Sequence, residues 1–175
     1  MLKNLIVTLI SDDKPGIVES VASVITQHHG NWLESQLAKL AGKFAGVVRI
    51  QVDASNEAAL AAALNEMSNQ RMTVLVDECN ETTASADTNQ TLHFHATGPD
   101  RPGIVKEISS ALALYQINLE KLDTRLSSMP YSGDPLFEAE GIMAVPTSLN
   151  RSDLTEKLDD IADELAMDIV LEETR

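Results

Sequence analysis

A chain of 175 residues has room for one medium or two small domains, and 43% hydrophobic with 23% charged residues is an ordinary globular balance, which excludes disorder as the whole account. Asp and Glu number 27 against 13 Lys and Arg, so the formal net charge is −14 and direct nucleic-acid binding through the bulk surface is not expected. Aromatic residues at 3% leave few stacking platforms, and the single cysteine, Cys79, forms no intramolecular disulfide.

Residues 1–10 are apolar but meet Ser11-Asp12-Asp13, too short and too abruptly acidic a run for a signal peptide. No stretch approaches the roughly 20 apolar residues of a spanning helix, so a cytoplasmic protein without membrane association is expected. Residues 3–10, rich in Leu, Ile, Val and Thr, predict a strand. From Pro15, the spacing of Ile17, Val21, Val24 or Ile25 and His28 predicts a helix, with Gly30 as its stop. Residues 31–40 and 43–53 predict two strands parted by a hairpin at Ala41-Gly42. Leu60, Leu64 and Met67 line an Ala-rich helix, and residues 73–76 close the unit as a strand. The polar residues that follow lack apolar periodicity and predict a linker over 80–89.

The same order then returns. Leu92, Phe94 and Ala96 alternate as in a strand, and Ile104, Ile108, Leu112 and Tyr115 share a helix face. A last helix carries Leu154, Leu158, Ile161 and Leu165 after the start signal Ser152-Asp153. Asp13-Lys14-Pro15-Gly16-Ile17-Val18 recurs as Asp100-Arg101-Pro102-Gly103-Ile104-Val105, and the same offset carries Asn31 onto Asn118. The chain therefore reads as a duplication, with domains at 1–79 and 90–175. The order β-α-β-β-α-β predicts the α+β ferredoxin-like sandwich twice over, each a four-stranded antiparallel sheet with both helices on one face. So small a sheet leaves its other face and its edges to be covered by pairing of units or of chains.

In each copy the repeated hexapeptide sits between strand and helix. Proline, with φ preset and no N–H, suits the first helical position for Pro15 and Pro102. Gly16 and Gly103 then place no side chain where helix amides are unpaired, a setting that suits a small carboxylate. Asp13 or Asp100 stands ready to hold the ammonium group of the same molecule, and Asn31 or Asn118 offers both a donor and an acceptor. The structural alternative is a plain cap and turn, which duplication alone would preserve.

These residues are where the chain resembles the ACT domain family, small-molecule sensor modules that usually bind amino acids. Two such domains, and the long connection Met129-Pro-Tyr-Ser-Gly-Asp-Pro-Leu-Phe137, are similar to the tandem glycine cleavage repressors of that family. The resemblance implies a homodimeric regulator that senses glycine and represses through a partner transcription factor, with no DNA-reading element, no metal and no cofactor. It points to a ligand site drawn from Asp12, Asp13, Pro15, Gly16, Ile17 and Asn31, and from Asp100, Arg101, Pro102, Gly103, Ile104 and Asn118. Ser11-Asp12 stands where the second copy has Gly98-Pro99, and Ile117 replaces Gly30, so unequal loops are expected. The alternative is a regulatory subunit of an amino-acid metabolic enzyme.

Catalysis has no evident home: there is no phosphate loop, Ser-centred elbow or zinc motif. His93 and His95 share a strand face and suggest a metal pair, but no third ligand is placed by spacing. His28-His29 read as a helix end, Cys79 as a strand end, and the acidic residues of 153–164 as the wet side of the last helix. Replacing Gly103 by a branched residue is expected to block ligand access with the fold intact.

Overall fold

The computed structural model describes residues 1–69, 71–79 and 89–172, Arg151 by its backbone alone. The chain divides into two compact units, Met1–Thr82 and Thr83–Arg175.

In the first unit the order is β1 (Leu2–Asp12), α1 (Ile17–Gln27), β2 (Asn31–Leu40), β3 (Lys43–Asp53), α2 (Glu57–Glu66) and β4 (Met72–Glu78). The strands form one antiparallel sheet in the order β2-β3-β1-β4. Period-2 alternation turns Leu5, Val7 and Leu9 of β1 and Val48, Ile50 and Val52 of β3 to the same side. There they meet Ile17, Val21 and Ile25 of α1 and Leu60 and Leu64 of α2. The β2–β3 hairpin closes on Ala41 and Gly42, both at positive φ (49° and 79°), as a two-residue hairpin turn demands. The end of α1 corrects one detail of the sequence reading. The reversal is made by His29 at φ 58°, while Gly30 is required for closeness: a Cβ there would lie 2.9 Å from Ile25 Cγ2 and 3.0 Å from Leu60 Cδ2.

The second unit repeats the plan with β5 (Asn89–Pro99), α3 (Ile104–Leu114), β6 (Asn118–Ser128), β7 (Pro135–Pro146), α4 (Arg151–Leu165) and β8 (Asp168–Glu172), in sheet order β6-β7-β5-β8. Except for Asn89, which opens β5, the linker expected over 80–89 lies outside the described residues. This unit has a core of its own, in which Phe94, Met143, Leu154, Leu158 and Ile161 are buried. Gln116 at φ 58° matches His29, and at the place of Gly30 the second unit carries Ile117, 5% exposed and packed in its core. The cap of α4 is Asn150, earlier than the expected Ser152-Asp153. Its side chain accepts from the Asp153 amide (2.9 Å) and donates to the Asp153 carboxylate (2.8 Å), a reciprocal cap that fixes the helix start.

Six residues, 129–134, replace the two-residue turn of the first unit between β6 and β7. Backbone bonds from the Met129 amide to the Asp134 carbonyl (2.8 Å) and from the Gly133 amide to the Met129 carbonyl (3.1 Å) close the loop. Its base carries a buffered charge. Glu138 of β7 accepts from the Ser127 hydroxyl at 2.5 Å and also from Arg125, and these two partners hold its carboxyl below the usual range. A lowered native pKa adds stability above the unfolded-state pKa and loses it as pH falls through the native value. Glu138→Gln is therefore expected to lose less stability than the parent between about pH 7 and pH 3 in urea titrations; equal losses would show that the pair contributes nothing.

Candidate functional site in the glycine-capped loops

Gly16 has φ 91° and ψ −1°, and Gly103 has φ 91° and ψ −4°. These are the angles of the third residue of a type II turn, in which proline favours the position before. Each helix accordingly begins at the isoleucine after the glycine. This corrects the expected placement of Pro15 and Pro102 at the first helical position: they sit in the turn that precedes the cap, because a residue in the left-handed conformation cannot lie within the first helical turn. The caps themselves are the glycines, which offer no side-chain acceptor to the amides of α1 or α3.

The Gly16 carbonyl accepts from the Ser20 amide (2.9 Å) and the Ser20 hydroxyl (2.7 Å), and the Gly103 carbonyl from the Glu107 amide (3.0 Å). Space in front of Gly16 is open: a Cβ there would meet nothing within 4 Å. An open depression faces it, lined by Asp13, Lys14, Ile17, Val18, Glu19 and Phe44 among others. Ile17 and Ile104 are 5% and 4% exposed, so their side chains anchor the helices in the cores.

Each loop is tied to its sheet by one backbone bond, from the Asp13 amide to the Gly42 carbonyl (3.0 Å) and from the Asp100 amide to the Pro135 carbonyl (3.1 Å). The charges are less free than the residue types suggested. Asp13 is paired with Lys39 of β2, and Asp12 with Lys43 at 2.5 Å; the hydrogen bond from Lys43 holds the Asp12 carboxyl below its ordinary value. In the second loop Arg101 grips Glu107 through its two terminal guanidinium nitrogens (3.0 and 2.5 Å), which lowers the Glu107 carboxyl and raises Arg101 further. Glu107 Oε1 would lie 3.8 Å from a Cβ on Gly103, so this carboxylate stands beside the bare cap. Lys106 occupies the position at which the first copy has Glu19, a difference that favours an anion at the second loop.

Asn31 and Asn118 are not brought to these loops within their own units. Asp12 pairs with Lys43, whereas Asn31 pairs with Gln51, eight residues farther along β3 and about 26 Å away at strand rise. In the second unit, Pro99 pairs with Leu136 and Asn118 with Ala144, the same separation. The pairings of Lys39, Lys43 and Glu107 had no sequence signal, because each crosses from one element to another.

The remaining candidates resolve simply. His28 Nδ1 lies 2.9 Å from the Val24 carbonyl, a helix-end contact. His93 and His95 lie on the open side of the second sheet, and among the described residues no group of three or more His, Cys, Asp or Glu is placed to hold a metal ion. The Cys79 amide bonds the Asn4 carbonyl at 3.0 Å, just beyond β4.

Two βαββαβ units, each opening its first helix on a glycine cap, define a tandem ferredoxin-like protein with a duplicated loop. Residues 3–77, which make up most of the first unit, match the model of the ACT domain. No curated protein sequence matches it. Among solved structures, it is similar to a protein of unknown function from Galdieria sulphuraria, at 24% identity and TM-score 0.81, with 100% of both chains covered. It is also similar to a candidate glycine cleavage system transcriptional repressor, at 20% identity and TM-score 0.74, with 98% of this chain and 97% of the other covered. Both likenesses speak for the fold. Among the described residues no helix is long and apolar enough to cross a membrane.

Proposed function

We propose that this protein is a cytoplasmic, non-catalytic sensor of a small amino acid, with glycine the expected ligand, and that it acts on transcription through a partner transcription factor. Its two ACT domains span 1–79 and 90–175. The observation that carries this reading is that both repeated loops end in a left-handed glycine, leaving the helix amides without a side-chain cap. Oriented amides at a helix start attract a carboxylate, and removing the cap side chain lets one approach. Asp100 serves the ammonium group, and Asp13 does so where that group displaces Lys39. Asn31 and Asn118 lie too far from the loop of their own unit to reach a ligand there, so in this reading a second copy supplies them and the working form is a homodimer.

The test is a thermal melt with glycine, serine and a panel of other amino acids. A ligand at about 100 times its Kd should add roughly 2.7 kcal/mol, and a flat response across the panel removes the sensor reading. Arg101 gives a second expectation. In the parent the Glu107 carboxylate holds the guanidinium beside the cap, so Glu107→Gln should free it for the ligand's carboxylate and tighten binding several-fold by calorimetry. Unchanged affinity would place the ligand away from the second loop.

A further inference from the structure

We propose that the second glycine loop carries its own competitor for the ligand: the Glu107 carboxylate, clasped by Arg101, is held at the cap where the ligand's carboxylate would sit, so the first loop fills ahead of the second. This rests on the reading of both loops as amino-acid sites and adds the order in which they fill. Every group in the clasp belongs to one unit. Side chains lean toward the start of their helix, so position 107 of α3 reaches the Gly103 cap, and Glu107 Oε1 lies 3.8 Å from where a Cβ on Gly103 would be. Arg101, in the turn before the cap, holds the carboxylate there with two nitrogens at 3.0 and 2.5 Å. A helix start favours an anion, and here the chain supplies one that is already paired on both oxygens.

The first unit has the same turn without this device. Ser20 stands at the place of Glu107 and turns its hydroxyl back to the Gly16 carbonyl at 2.7 Å, and Lys14 stands at the place of Arg101. Nothing lies within 4 Å of a Cβ on Gly16, so that cap is open to a carboxylate. Lys39, paired with Asp13, competes there for the ammonium end alone. A ligand entering the second loop must instead break a two-bond clasp. Its apparent affinity falls with the fraction of time the clasp is open, so a clasp closed about four-fifths of the time weakens that loop about fivefold. Because the competitor is tethered, its effective concentration does not fall on dilution.

Glycine titration of the full chain, followed by NMR at the backbone amides of Val18 and Val105, reads the two loops separately. In the parent the Val18 amide should reach its half-shift at about fivefold less glycine than the Val105 amide. Glu107→Gln should lower the Val105 midpoint about fivefold and leave Val18 unmoved. Lys14→Arg combined with Ser20→Glu moves the clasp into the first unit and should raise the Val18 midpoint by a similar factor. A Val105 midpoint at or below that of Val18 in the parent, or one that Glu107→Gln does not move, overturns the clasp and leaves the sensor reading standing. Amides that fail to respond to glycine in the parent and in both variants overturn the sensor reading, and the clasp with it.

Discussion

Leu154→Ala is expected to lower the stability of the second unit by about 2–5 kcal/mol, the range for removing a fully buried leucine from a core that relaxes only in part. Leu154 is 0% exposed and packs in a cluster composed of residues of the second unit alone. The chain's single tryptophan, Trp32, packs against the other cluster, so its fluorescence reports the first unit. Urea titrations should therefore show an unmoved tryptophan transition beside an earlier loss of far-ultraviolet ellipticity. Leu64→Ala, at an equally buried position of α2, should do the opposite and advance the tryptophan transition. Coincident shifts of both signals in either variant would mean that the two cores melt as one.

Gly103→Val should both weaken the fold and abolish ligand binding at its loop. The left-handed φ of 91° is costly for a branched residue, about 1–3 kcal/mol, so the variant will not be as stable as the sequence alone implied. The loss should be similar for Gly16→Val, where φ is the same and no atom lies within 4 Å of the new Cβ, so the cost there is conformational. Both variants should remain folded by circular dichroism at room temperature. Glycine calorimetry on the pair then separates the loops: binding lost in one variant and kept in the other identifies the occupied loop. Affinity unchanged in both would move the site off the glycine caps.

Much of this architecture is legible in the order of residues because it rests on local rules. The strand over 31–40 and the strand over 43–53 coincide with β2 and β3, since a period of two and a hairpin glycine leave little choice of register. Ile17, Val21 and Ile25 recur at helical spacing and are the buried face of α1. The duplicated Asp-x-Pro-Gly exposed the repeat itself. Details at helix ends were less legible: whether His29 or Gly30 makes the reversal, or Asn150 or Ser152 the cap, depends on backbone angles that neighbouring residue types share.

By itself, then, the sequence determined two ferredoxin-like units, their element order and the pair of glycine loops, because periodicity and turn chemistry act over a few residues. Tertiary structure alone decided that Asn31 and Asn118 lie a sheet's length from those loops, and that Lys39, Lys43 and Glu107 hold the charges assigned to a ligand. Each of these depends on which residues the strand register sets side by side, and that register joins positions distant in the chain.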